Sequence, residues 1–110
     1  MTFQRISNIV SLATGTGAKA PVIIDCRRAD WGPIPIQVYT TLATDFVGTV
    51  ILEGTVSSQQ EIDEDTAVWS PINGASWTAE TCDGLTTAFP WIRGNVTAYT
   101  SGSINVRALI

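Results

Sequence analysis

The chain has 110 residues, a net charge of −4 and no histidine, which is enough mass for one hydrophobic core. Because the sequence offers no basic patch, its charge argues against a nucleic-acid partner. No apolar run reaches the length of a membrane span, and the first residues lack the pattern of a secretion signal. We therefore expect one domain, made in the cytoplasm, that binds neither nucleic acid nor membrane.

The N-terminal segment, residues 1–19, is predicted to be an extended arm that precedes a domain of residues 20–110. Small residues at positions 14–18 favour a flexible link. Within the arm, Ile6, Ile9, Val10 and Leu12 could form a short strand. They are too few to build a core, so we expect them to be mobile in the free protein and to become ordered on a partner surface.

Most of the chain consists of short segments separated by turn signals. Strands are predicted over residues 21–28, 34–39, 47–57, 67–70 and 76–82. Asn73-Gly74 and Asp83-Gly84 are predicted to end strands, and residues 58–66 to form a polar loop. Pro35 cannot donate a hydrogen bond to a neighbouring strand, so its strand should be edge-like at its start. No helical period is sustained, and this pattern is typical of an all-β antiparallel sandwich or jelly roll.

The C-terminal segment, two alternating runs that flank Ser101-Gly102, predicts a β-hairpin, because glycine accepts a positive φ in a tight turn. One face of the first run presents Ile92, Gly94, Val96 and Ala98. The other face presents Trp91, Arg93, Asn95, Thr97 and Tyr99. Large apolar residues on an outward face usually mark a partner site, so we predict an assembly surface here. Its predicted residues on the sheet are Ile51, Trp91, Arg93 and Tyr99. From the arm, Ile6, Ile9, Val10 and Leu12 are predicted to join them.

Few groups in the sequence are suited to catalysis. The absence of histidine removes Ser-His-Asp and Cys-His nucleophile systems, and no glycine-rich phosphate loop is present. A calcium site is an alternative at the loop acids Glu61, Asp63, Glu64 and Asp65. Their spacing lacks the glycine and the distal glutamate of an EF-hand, so we interpret them as a solvated loop. We predict no enzyme activity, no metal and no cofactor.

The two cysteines are expected to be free thiols, as is usual in a reducing cytoplasm. Cys26 follows Val22 and Ile24 at a spacing of two residues, which places its side chain inward. Cys82 lies in a polar segment. A disulfide between the two is the alternative.

The aromatic residues allow a second functional interpretation. They include Trp31, Trp69, Trp77, Trp91, Tyr39 and Tyr99. Several of these rings, exposed and coplanar, would form a platform on which sugars stack. We favour a different assignment, with Trp69 in the core and with Trp91 and Tyr99 at a protein interface.

Five segments in order resemble small β-sandwich virion proteins of tailed bacteriophages. They read P-V-I-I-D-C, P-I-Q-V-Y-T-T, G-T-V-I-L-E-G-T-V, T-A-V-W-S-P-I and F-P-W-I-R-G-N-V-T-A-Y-T-S-G-S-I-N-V-R. The resemblance covers residues 21–110 and implies a structural role: a capsid decoration or cement protein, or a small part of the tail or fibre. It implies that the partner is the major capsid protein or another virion protein, with a homo-oligomer on the virion after synthesis in the host cytoplasm. A carbohydrate-binding or attachment module is the alternative function.

Overall fold

The computed structural model describes residues 6–10, 15–17, 22–26, 33–40, 46–86 and 89–109. In these ranges the chain forms eight strands and one short helix. The elements are β1 (Ile6–Val10), β2 (Ile24–Asp25), β3 (Ile34–Tyr39), β4 (Val47–Thr55), α1 (Gln59–Asp63), β5 (Ser70–Trp77), β6 (Thr81–Leu85), β7 (Trp91–Ser101) and β8 (Asn105–Leu109). The predicted all-β class is confirmed. Within the described ranges, no helix has the length and apolar character that a membrane crossing requires.

The strands form two four-stranded sheets with the orders β1-β8-β3-β6 and β2-β7-β4-β5. Every neighbouring pair is antiparallel. The first strand thus pairs with the eighth, the second with the seventh, the third with the sixth and the fourth with the fifth. This nested order is one long hairpin wrapped around itself, which is a jelly roll. Of the two predicted architectures, the sandwich is therefore of the jelly-roll kind.

The predicted C-terminal hairpin is wrong, because β7 and β8 lie in different sheets. Gly102 has a φ of 86°, the left-handed conformation that the Ser101-Gly102 signal predicted. The chain then continues through Ser103 and Ile104, which are both buried, into the opposite sheet. The Ser101-Gly102 dipeptide correctly predicts the turn, but it carries no information on the strand with which the next segment pairs.

The predicted N-terminal arm is also corrected. Ile6–Val10 is a full strand, paired with β8 from Ile6↔Leu109 to Val10↔Val106. Ile9 and Val10 are completely buried in the core. Across the interface, β1 contacts β7 at Gly94, where an added Cβ would overlap the Val10 side chain. The remaining parts of the predicted arm, including Leu12, lie outside the described residues, apart from residues 15–17, where Gly17 donates to the Val96 carbonyl at 2.6 Å.

Two predicted turns lie inside strands. Asn73-Gly74 forms part of a bulge in β5, because Ile51 pairs with Ser76 whereas Glu53 pairs with Pro71. A bulge and a proline are tolerated there since β5 is at the edge of its sheet. Asp83-Gly84 lies within β6, which also forms an edge. The expectation for Pro35 is confirmed: residues 34 and 35 pair with β6, and the pairing with β8 begins at residue 36.

The core lies between the inward faces of the two sheets. Its most completely buried side chains are Ile9, Leu52, Ile92, Ile104, Val10, Val38, Val50, Val96 and Val106. Full burial of an aliphatic side chain contributes about 1.5 to 3 kcal/mol relative to exposure in water. The alternation of β3, with Ile34, Ile36 and Val38 buried and its intervening residues Pro35 and Gln37 exposed, follows the predicted pattern.

The predicted polar loop between β4 and β5 contains α1. The Ser58 hydroxyl accepts from the Glu61 amide at 3.2 Å, and the Glu61 carboxylate accepts from the Ser58 amide at 2.9 Å. This reciprocal capping box satisfies amides that the first helical turn leaves unpaired. At the other end Asp65 has a φ of 57°, a left-handed conformation that ends helices and that aspartate tolerates. The connection is therefore an ordered element.

Candidate assembly surface

The outer face of the sheet β2-β7-β4-β5 carries a compact group that we call the tryptophan–arginine cluster. It consists of Glu53, Thr55, Trp69, Trp91 and Arg93. Strand register sets Glu53 beside Arg93 and Thr55 beside Trp91. The Arg93 Nε donates to the Glu53 Oε1 at 3.0 Å, and the guanidinium carbon lies 4.3 Å from the centroid of the Trp69 ring. An ion pair and a cation–π contact thus hold one arginine from two directions.

This cluster changes the interpretation of three predicted residues. Trp91 and Arg93 do lie on the outer face, but Trp91 is only 6% exposed, so the expected exposure of its ring is wrong. Arg93 is half-buried and paired within the chain. Trp69 is half-buried and stacks on Arg93, so its assignment to the core is also wrong. The alternation gave the correct face for β7, but it carries no information on the side chains that cover that face.

Ile51 lies on the same outer face and is half-buried, between Asn95 and Ser76 of the neighbouring strands. Its role in assembly stays a prediction.

Tyr99 lies on the opposite face from the one predicted. The register between β4 and β7 shifts twice, between Val47/Gly48 and between Thr49/Val50. An extra residue in a strand reverses the alternation beyond it. The Tyr99 ring therefore packs against the core beside Phe46, at a centroid distance of 6.3 Å. Its hydroxyl donates to the Gly102 carbonyl at 3.1 Å.

The N-terminal residues of the predicted surface divide in the same way. Ile6 is 64% exposed, whereas Ile9 and Val10 are fully buried. Leu12 lies outside the described residues. Only Ile6 of this group presents a free apolar side chain in the described part of the chain.

The outer face of the other sheet carries Arg107 and Tyr39. The Arg107 Nη2 donates to the Tyr39 hydroxyl, and the guanidinium carbon lies 4.5 Å from the centroid of the Tyr39 ring. Three buried polar atoms at alternate positions along this part of the chain have no hydrogen-bond partner among the described residues: Ser103 Oγ, Asn105 Nδ2 and Arg107 Nε. The Arg107–Tyr39 pair therefore covers only part of this face, since Gln37 and most of β6 are exposed.

The predicted burial of Cys26 is confirmed, and Cys82 is exposed. Neither is part of a disulfide. Burial, helped by the negative charge of Asp25, raises the pKa of the Cys26 thiol from 9.0 to about 11. Cys26 is therefore a protonated, inert thiol at neutral pH.

The carboxylates of the described residues do not converge on a metal site: no group of three or more histidine, cysteine or acidic residues in those ranges could hold an ion. The acids of the β4–β5 connection interact locally instead. Asp63 accepts from Gln59 at 3.0 Å and Glu64 accepts from Gln60 at 3.1 Å. These hydrogen bonds hold the acids on the surface of α1.

A groove at one end of the sandwich is a surface feature that the sequence analysis does not predict. This tip groove occupies about 380 Å³ where β4 ends and β5 begins. It is lined by Gly54, Thr55, Val56, Ser57, Glu61, Val68, Ser70 and Phe89. Val56 and Val68 are 78% and 77% exposed, the largest exposed fractions among the large apolar side chains of the described residues.

The half-buried ring of Phe89 lines the tip groove and packs against the core. Gly54 makes room for it, because a Cβ at this position would overlap the Phe89 ring. A signal for the groove was present in the sequence: Val56 continues the inward series of β4, but it comes after the last residue that pairs with another strand. Val56 therefore has the sequence position of a core residue but lies in solvent.

The described tryptophans do not form a sugar-stacking platform. Trp77 and Trp91 are buried, and one face of the Trp69 ring is covered by Arg93. Trp31 lies outside the described residues.

Comparison of the chain with protein families, with characterised proteins and with solved structures finds no match.

Proposed function

We propose that the protein is a structural component of a tailed-phage virion, most specifically a capsid decoration or cement protein that binds the major capsid protein or another virion protein. The observation that carries this proposal is the tip groove, whose lining includes the exposed side chains of Val56 and Val68. Exposed aliphatic side chains around a concave surface mark partner sites more often than isolated ones do. The sequence resemblance to small virion proteins gives the class of partner.

Other features of the described chain agree with a binding role. The tryptophan–arginine cluster and the Arg107–Tyr39 pair each cover part of an outer face with the protein's own side chains. Part of the groove is preformed, since four of its lining residues, Gly54, Thr55, Glu61 and Ser70, belong to strands or to the capped helix. A preformed surface loses little conformational entropy when a partner binds.

The proposal is tested on particles of the phage that encodes the chain. We expect mass spectrometry of purified particles to find the protein in a fixed ratio to the major capsid protein. Particles assembled without it should take up the purified protein, and a Val56→Asp/Val68→Asp variant that keeps its circular dichroism spectrum should not bind. Absence of the protein from particles would refute a virion role.

A further inference from the structure

The charges of this chain are divided between separate stretches of the sequence. All 6 Lys and Arg residues lie outside residues 29–92, and Asp25 is the only acidic residue outside that stretch. The tip groove belongs to the acidic stretch. Its wall includes Glu61, and Asp63, Glu64 and Asp65 follow on the same exposed connection.

The two described arginines do not offset this negative charge at the groove. Arg93 is paired with Glu53 beneath Trp69, and Arg107 lies in the other sheet. Residues 54–70 contain no basic residue at all. Among the described residues, the tip groove thus combines the apolar side chains of Val56, Val68 and Phe89 with the Glu61 carboxylate. Three further exposed acids follow Glu61 on the same connection.

We infer that the tip groove binds an extended basic segment of a partner protein, anchored by one aliphatic side chain between Val56 and Val68. This inference rests on the proposed function and names the chemistry of the partner. The anchor would cover the exposed valines and the Phe89 ring, and flanking lysine or arginine residues would face the acids of α1. Opposite charges around an apolar anchor speed association and select the partner.

A second copy of this chain, brought to the groove through the same surface, fits less well. That contact would place the acidic connections of both copies against each other, and like charges brought together at an interface oppose binding. Charge complementarity therefore favours a different, basic polypeptide as the occupant.

The inference is tested with the purified full chain and the capped peptide Lys-Lys-Leu-Lys-Lys. At low salt we expect saturable chemical-shift changes in the amides of the groove residues. Replacing the central leucine by serine, or introducing Val68→Ser into the protein, should weaken binding about tenfold. Val47→Ser is the matched control, because Val47 is 50% exposed at the other end of β4, and it should leave binding unchanged.

The contribution of the exposed acids that follow Glu61 is tested with the double variant Glu64→Gln/Asp65→Asn. Glutamine and asparagine keep the shape of the side chains, and asparagine tolerates the left-handed backbone of residue 65. We expect affinity for the lysine peptide to fall roughly two- to fivefold and its dependence on salt to weaken, whereas Glu80→Gln should have no effect.

Three results would overturn the inference: no saturable binding at low salt, equal binding by the Val68→Ser variant, or self-association of the protein that Val68→Ser abolishes. Each is separable from the proposed function. A protein that is present on particles but does not bind the peptide contradicts only the partner chemistry. Peptide binding by a protein absent from particles contradicts only the virion role.

Discussion

Two arginines show how single side chains cover the outer faces of this sandwich. Arg93 donates to Glu53 and stacks on Trp69, and Arg107 donates to Tyr39 and lies over its ring. In both cases the guanidinium satisfies a polar partner and contacts an aromatic ring at once. Each guanidinium therefore covers part of the outer face of its own sheet. Within the described residues, the accessible charge is therefore mainly that of carboxylates.

Trp91→Ala should destabilise the fold, because the Trp91 ring is buried beside Thr55 within the tryptophan–arginine cluster. Truncation of a buried tryptophan typically costs about 3 to 5 kcal/mol. Urea denaturation of the purified variant measures the effect. Val68→Ala, at an exposed position, should change the free energy of unfolding by no more than about 0.5 kcal/mol. An unchanged Trp91→Ala denaturation curve with lost particle binding would instead make Trp91 an interface anchor.

The Cys26 thiol gives the fold a dependence on alkaline pH. Its pKa is 9.0 when unperturbed and about 11 in the fold, so between these values the unfolded chain loses a proton that the folded chain keeps. Stability from this group is therefore complete below pH 9 and falls as the pH rises towards 11, by a total on the order of 2 kcal/mol. Denaturation midpoints measured across this range test the prediction.

Cys26→Ala is the control for that titration, since it should remove this part of the pH dependence. A thiol reagent at pH 8 should label the exposed Cys82 of the native protein and should reach Cys26 only after unfolding. Rapid labelling of both thiols in the native state would show that the end of β2 opens easily.

At the scale of elements, close contact between β1 and β7 ties the N-terminal strand to the domain. Gly94 allows this contact, because a Cβ there would overlap the side chain of Val10 and would lie 3.3 Å from the Ile9 side chain. Backbone groups of β1 also pair with β8 along its length. The strand is held by packing on one side and by hydrogen bonds on the other.

Gly94→Ala should therefore loosen β1. Overpacking of this kind typically costs about 1 to 3 kcal/mol, and hydrogen exchange should show lower protection of the Ile9 and Val10 amides. Gly84→Ala is the control, because its Cβ would meet only Pro33 at 3.5 Å, an ordinary contact. Equal protection of β1 in both variants would contradict the packing role of Gly94.

Local patterns predicted the strands of this protein better than their partners. The alternation of Ile34, Ile36 and Val38 gave the correct inward face of β3. Alternation failed at Tyr99, because bulges reverse the face and depend on the register with another strand. Ser58 and Glu61 have the spacing of a capping box, which indicates the start of a helix within the predicted polar loop.

At the scale of the whole molecule, the tip groove could not be predicted from the sequence, because it depends on where the pairing of β4 with β7 ends. Val56 belongs to an inward series in the sequence, and only the termination of strand pairing at Thr55 leaves it in solvent. Phe89 reaches the same groove from a distant part of the chain. The charge division could be read directly from the sequence, but its meaning requires the position of the groove.

The nested order of the strands has a consequence for biosynthesis. Ile6 pairs with Leu109, so β1 must wait for β8, which is translated about a hundred residues later. Until then β1, which carries the core residues Ile9 and Val10, has no strand with which to pair. Contacts between such distant residues slow folding, because a long loop must close before they stabilise anything. The sheet that contains β1 and β8 therefore completes its pairing only after Leu109 has left the ribosome, and until then the apolar side chains of β1 are exposed to aggregation.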